Sequence, residues 1–93
     1  IYIIHAPPFN TNLDIITAGI HVGSRAVRNF IEKEQPLLAL HGHIHESPKM
    51  SGSWKDNIGK TICINVGSSY PEDKLNCIVI DTKDLNNIGY FEL

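Results

Sequence analysis

The chain has few cysteines and no long apolar run, which excludes disulfide-rich and membrane-spanning proteins. It holds two cysteines, Cys63 and Cys77, in 93 residues. A disulfide framework in so short a chain needs more cysteines. We therefore expect two free, buried thiols and a reducing, cytoplasmic setting. No apolar run approaches the roughly 20 residues of a membrane span, so we expect no membrane partner.

The chain also has no large excess of positive or negative charge. The formal net charge is -2, and no cluster of lysine or arginine resembles those that bind nucleic-acid phosphates. Nucleic acid therefore stays an open question as a partner, because it would need a specific site. Hydrophobic residues make up 42% and charged residues 19% of the chain, which is typical of a globular protein.

The chain opens on an apolar run, residues 1–4, that is rich in β-branched side chains and predicts a buried strand. Natural domains seldom begin inside a core strand. We therefore expect residues 1–93 to be part of a larger domain whose N-terminal half lies upstream.

A βαβ unit is predicted over the first 41 residues. His5 and Ala6-Pro7-Pro8 end the first strand, and residues 9–22 form a loop. Apolar residues at helical spacing predict a helix from Ser24, its N-cap, to Glu34, before Pro36. A second buried strand follows and ends at His41. Strands joined in this way are normally parallel neighbours.

The remainder predicts antiparallel β structure. Strands are expected over residues 61–66, 76–81 and 89–93, with a turn at 84–87. Residues 46–60 are polar and predict a loop or an irregular hairpin. Trp54 lies in this segment, where it is either a substrate-stacking residue in a lid or an anchor for the loop.

Three histidines stand at the ends of the two parallel strands: His5, His43 and His45. The carboxyl ends of neighbouring parallel strands share one edge of a sheet, so these imidazoles can converge. Imidazole is the commonest metal ligand in proteins, and Gly42 would allow a tight or left-handed backbone beside them. The pattern predicts a metal site.

The same residues carry a family resemblance. Leu40-His41-Gly42-His43-Ile44-His45 looks like the Gly-His-x-His motif of calcineurin-like metallophosphoesterases. His5 with its following prolines is similar to that family's upstream histidine. Asn65-Val66-Gly67-Ser68 resembles the family's Asn-Pro-Gly-Ser element, with Val66 in place of the common proline. His21-Val22-Gly23-Ser24 is similar to one branch of prokaryotic members.

The resemblance implies an α/β fold, a four-layer αββα sandwich of which this chain would be the C-terminal half. It implies two divalent transition metal ions (Mn, Fe, Zn, Ni or Co), with His5 and His43 on one ion and His45 on the other. It also implies hydrolysis of a phosphomonoester or phosphodiester by a metal-bridging hydroxide.

The family's first three motifs, Asp-x-His, Gly-Asp-x-x-Asp and Gly-Asn-His-Asp/Glu, do not occur in the chain. No catalytic residue is therefore assigned here, and we expect the chain alone to be inactive. Its expected partners are a phosphate-ester substrate and either the missing N-terminal half or a second, self-associating copy. The alternative function is a non-catalytic metal-binding or scaffold module.

Residues 21–24 lead into the N-terminus of the predicted helix, a natural site for anions. His21, Gly23 and Ser24 are therefore candidates for binding substrate phosphate, although His21 could simply lie in a loop and Ser24 is first of all an N-cap. Asp14 is expected to cap a loop, with a role in the site as the lesser alternative.

His41 has no place in the family's motif. With Gly42 it is expected to support the metal ligands from a second layer or to pack at the strand end. Arg25 and Arg28 are expected on a solvated helix face.

Overall fold

The computed structural model describes residues 1–93 as an α/β structure with two sheets and two short helices, which confirms the predicted class. The elements are β1 (Tyr2–Ile3), α1 (Arg25–Glu34), β2 (Leu38–His41), α2 (Ser47–Ser51), β3 (Lys55–Ile58), β4 (Thr61–Asn65), β5 (Asn76–Ile80) and β6 (Ile88–Glu92). The larger sheet has the order β1-β2-β4-β3, and β5 pairs with β6 in a separate sheet.

The βαβ unit is confirmed, since β1 and β2 pair in parallel. Ser24 caps α1 as predicted, with its side chain accepting a hydrogen bond from the Val27 amide. The helix ends at Glu34, where Gln35 adopts a left-handed conformation immediately before Pro36. Capping residues and the proline position therefore fixed both ends of this helix.

The first strand is less buried than the apolar run predicted. Tyr2 is 46% exposed and Ile3 is 83% exposed. The strand lies at the edge of the sheet and pairs with β2 alone, so one side of it has no covering neighbour. The prediction of a buried strand was wrong for these residues.

The polar segment 46–60 holds more regular structure than predicted. Pro48 stands in the first turn of the short helix α2, and Gly52 ends it in a left-handed conformation. The strand β3 then pairs antiparallel with β4. The prediction of an entirely antiparallel C-terminal part was also incorrect, because β4 pairs in parallel with β2 on its other side.

A small core forms where α1 and the loop 9–22 pack on the larger sheet. It consists of the buried side chains of Leu13, Ile31, Ala39, Ile58 and Cys63. Burial, together with the nearby negative charge of Asp56, raises the pKa of the Cys63 thiol to about 11. Both cysteines are free, but Cys77 is only half-buried. No helix has the length and apolar character that crossing a membrane would require.

Candidate functional site

The site predicted at the strand ends begins with a direct contact between two histidines. His5 and His43 are 38 positions apart in sequence, yet His5 Nε2 lies 3.1 Å from His43 Nδ1. Their rings meet edge to face, with centroids 4.9 Å apart. Both side chains are exposed, so this pair opens to solvent at the carboxyl edge of β1 and β2.

The backbone around the pair explains how it forms. The Gly42 amide donates to the His5 carbonyl at 2.9 Å, which continues the pairing of β1 with β2 past the strand ends. The left-handed residue is His43, at φ 64°, and not Gly42 as the sequence suggested. A left-handed conformation costs a non-glycine residue about 1–2 kcal/mol, and such strain is concentrated at functional sites.

The spacing of the two ring nitrogens fits two ligands of one metal ion. Zinc–imidazole bonds are about 2.0–2.1 Å long, so two nitrogens on one zinc ion would lie about 2.9 Å apart at a right angle and about 3.4 Å apart at a tetrahedral angle. The 3.1 Å observed also fits a hydrogen bond between neutral imidazoles. No group of three or more potential metal ligands is assembled within the chain, so the pair can supply only part of a coordination sphere.

His45 does not join this pair but lines a neighbouring cavity. Its loop is held by the element Asn65-Val66-Gly67-Ser68. The Asn65 amide group donates to the carbonyls of Ile44 and Leu13 at 3.0 and 2.9 Å, and the Ser68 amide donates to the His45 carbonyl at 3.1 Å. The motif resemblance pointed to this element, but Asn65 was not predicted as a site residue.

Residues 65–68 form a clamp on the loop that carries His45, and Gly67 allows the two backbones to approach closely. It has a positive φ of 68°, and a Cβ built on it would lie 2.5 Å from the His45 carbonyl oxygen. A larger residue would force the clamp away from the loop that carries His45.

His41 contacts the backbone on both sides of His5. Its Nδ1 lies 2.9 Å from the Ile4 carbonyl and 3.0 Å from the Ala6 carbonyl, so an Nδ1–H group donates to both residues that flank His5. Burial lowers the pKa of His41 despite these hydrogen bonds, which favours the neutral ring. Its Nε2 is buried without a hydrogen-bond partner. These contacts hold the backbone on both sides of His5.

Asp14 is fully buried and organises the loop 9–22. One carboxylate oxygen accepts from the Thr11 amide and the other from the amides of Asn10 and Gly23. His21 Nδ1 lies 2.6 Å from the same carboxylate. Burial by itself raises the pKa of Asp14, but the hydrogen bonds from His21 and the backbone amides outweigh it and lower the pKa. Asp14 therefore caps the loop as predicted.

The three candidates for phosphate binding differ in which hydrogen-bonding groups remain available to a ligand. The Gly23 amide is used by Asp14, and a Cβ at Gly23 would lie within 3 Å of Asp14 and of two proline carbonyls. The Ser24 amide donates to Pro7 and its side chain caps α1. His21 is bound through Nδ1 and its side chain is 33% exposed, so its Nε2 is the group best placed for a ligand.

Of the two arginines of α1, Arg25 is exposed as predicted, whereas Arg28 is half-buried. Arg25 lies over the Phe9 ring, 4.0 Å from its centroid. Arg28 donates to the carbonyls of Phe9 and Asn10 and pairs with Glu32 at 3.4 Å. Both attach the loop 9–22 to the helix.

Comparison with known proteins adds one relative. Uncharacterized protein MJ1162 of Methanocaldococcus jannaschii is 42% identical to the chain over an alignment 84 residues long, and the match covers 83% of the chain and 36% of that protein. The chain thus spans about a third of the length of this relative. No protein-family model and no solved structure matches the chain.

Proposed function

We propose that the chain forms one side of a binuclear metallophosphoesterase site, as the C-terminal half of a four-layer αββα sandwich, and that the complete domain hydrolyses phosphomonoesters or phosphodiesters. The observation that carries the proposal is the convergence of His5 Nε2 and His43 Nδ1 at 3.1 Å. The alternative is a hydrogen-bonded pair without a metal, which the same distance also fits.

In this proposal His5 and His43 hold one divalent ion and His45 contacts a second one. Divalent ions in such a pair would activate water and stabilise the negative charge on phosphate oxygens. The remaining ligands come from a part of the protein outside this chain. A relative in which the match covers only 36% of the length is consistent with a larger domain.

His21 is the residue of this chain that acts on the substrate. Asp14 accepts a hydrogen bond from His21 Nδ1, which fixes the ring orientation and leaves Nε2 for a phosphate or leaving-group oxygen. A buried carboxylate behind a partly exposed imidazole is an arrangement suited to proton transfer. His21 therefore binds phosphate in its protonated form or protonates the leaving group.

The test is made on the whole polypeptide that contains this chain. Metal content is measured after loading with Mn²⁺, and hydrolysis is measured with p-nitrophenyl phosphate and bis-p-nitrophenyl phosphate. We expect His43→Ala to lose both bound metal and hydrolysis. We expect His21→Ala to keep the metal and lose about 10²- to 10⁴-fold in kcat.

Two results would separate the alternatives. Metal binding that depends on His43, without hydrolysis of either ester by the wild-type protein, supports a scaffold module instead. Hydrolysis that persists unchanged in His43→Ala contradicts the assignment of the site to this pair.

A further inference from the structure

A cavity of about 190 Å³ is lined by His45 together with residues outside the predicted metal site. It lies between the loop of His45, the helix α2, the segment after β4 and the strand β6. Its walls include His45, Lys49, Trp54, Val66, Ser68 and Tyr90. The cavity thus connects a predicted metal ligand with two aromatic rings.

The aromatic side of the cavity is built from nearly parallel rings. Trp54 and Tyr90 have centroids 5.8 Å apart and an interplanar angle of 17°. The Trp54 carbonyl accepts from the Asn65 amide at 2.9 Å, and the Asn65 side chain donates to the Ile44 carbonyl. Asn65 therefore holds the backbone of Trp54 and the backbone of the loop that carries His45.

The other side of the cavity is polar. Lys49 is exposed at the rim and lies 3.4 Å from Glu72. The Tyr90 hydroxyl donates to Glu92 at 3.3 Å. The lining therefore combines two aromatic rings with the His45 imidazole and the Lys49 ammonium group, and the Glu92 carboxylate lies on the same cavity with the Tyr90 hydroxyl bound to it.

The volume limits what can enter. Pockets that enclose drug-sized ligands have volumes of about 300–1,000 Å³, so a cavity of about 190 Å³ has room for a single ring system. His45 lines the same cavity, so a phosphate attached to that ring would lie beside its imidazole.

We propose that this cavity binds the aromatic ring of an aryl or nucleoside phosphoester against Trp54 and Tyr90 and directs its phosphate toward His45. The phosphate half of the proposal rests on the function proposed above; the ring half rests on the cavity alone. Trp54 also joins the β5–β6 hairpin to the larger sheet through its contact with Tyr90, so a purely structural role for it is the competing explanation.

The test uses two ligands that differ in the ring and cannot be hydrolysed, phenylphosphonate and methylphosphonate, on the whole polypeptide with and without Mn²⁺. Trp54 is the single tryptophan of the 93 residues, so quenching that disappears in Trp54→Phe reports contact with it. Calorimetry gives the affinities. Stacking on an aromatic side chain predicts about 5- to 100-fold tighter binding of phenylphosphonate.

Three variants separate ligand binding from structure. Trp54→Ala should reduce the affinity for phenylphosphonate to that for methylphosphonate and leave the latter unchanged. Trp54→Phe should retain most of the preference. Phe30→Ala, which removes an aromatic ring that contacts Tyr2 outside the cavity, should change neither. The affinities for adenosine 5′-monophosphate and ribose 5-phosphate, both measured in EDTA, are compared in the same way. Tighter binding of the first would show that the cavity accepts a nucleobase as well as a phenyl ring.

Equal affinity for the two phosphonates would overturn the proposal. So would an equal loss for both in Trp54→Ala, since that result identifies a structural role. A ring preference that depends on Trp54 in a protein without metal or hydrolysis leaves the cavity assignment standing and defeats the phosphoesterase function. Hydrolysis without a ring preference supports the phosphoesterase function and defeats the cavity assignment.

Discussion

The replacement Asp14→Asn tests the part of the structure that holds the loop 9–22. The Asp14 side chain is 0% exposed and accepts hydrogen bonds from three backbone amides and from His21. Asparagine has nearly the same shape, but it removes the charge and points an NH₂ group at backbone donors. The replacement therefore leaves buried N–H groups opposed by another donor.

The expected loss is large. Hydrogen bonds to charged groups contribute about 1.5–3 kcal/mol each, and buried donors left without a partner cost about 1–3 kcal/mol each. Removing one partner of a buried charged network typically costs about 3–5 kcal/mol. We expect a loss in the free energy of unfolding in this range.

The pH dependence gives a second readout of the same carboxylate. The pKa of Asp14 is lowered in the folded protein, so its contribution to stability is complete above the unfolded pKa. The contribution is lost as the pH falls through the folded pKa. The wild-type protein should therefore lose stability below about pH 4, and Asp14→Asn should flatten this acid limb.

Urea denaturation followed by circular dichroism measures both effects. The matched control is Asp73→Asn, because Asp73 is exposed and already has a positive φ of 59°, a conformation that asparagine tolerates. Its effect should stay within about 0.5 kcal/mol. A loss below about 1 kcal/mol in Asp14→Asn, or an unchanged acid limb, would refute the role given to the carboxylate.

Three further predictions concern the supports of the site and the core. His41→Ala should weaken Mn²⁺ binding about 10- to 100-fold in calorimetry, and His41→Asn, whose amide can replace Nδ1–H, should restore most of it; equal losses would contradict the support of His5. Gly67→Ala should lower the free energy of unfolding by about 2–5 kcal/mol, through left-handed strain and overpacking. The control is Gly19→Ala, because Gly19 also has a left-handed backbone but no atom near its Cβ position. It should lower the free energy of unfolding by about 1–2 kcal/mol. Equal losses in the two variants would show that the contact between Gly67 and the His45 loop is not tight. In native protein at pH 8, Cys63 should resist Ellman's reagent because its pKa is about 11 and its side chain is buried, while the half-buried Cys77 reacts first; equally rapid reaction of both would contradict the core assignment.

The sequence predicted the βαβ unit well because its signals are local. A capping serine, helical spacing and a proline define α1, and Asn65-Val66-Gly67-Ser68 stood out by its resemblance to a known motif. The role of Asn65 depends on carbonyls of Ile44 and Leu13 that are distant in sequence, so no local pattern could identify its partners. The pairing of β4 with β2 was missed for the same reason.

Exposure was predicted less well than secondary structure. An apolar run such as residues 1–4 has the same composition at the edge of a sheet as in its centre, so the exposure of Ile3 could not be read from it. The polar segment 46–60 hid a short helix and a strand because their stability comes from contacts with β4 and with the loop 9–22. Ser47, for example, is buried and bonds to Ile15 and Asn12.

The central claim is that His5 and His43 share one metal ion. A crystal structure of the whole polypeptide grown with Mn²⁺, with an anomalous difference map, tests it most directly. We expect a peak within bonding distance of both His5 Nε2 and His43 Nδ1, completed by ligands from outside this chain. A map without a peak there, with the two rings still hydrogen-bonded to each other, would contradict it.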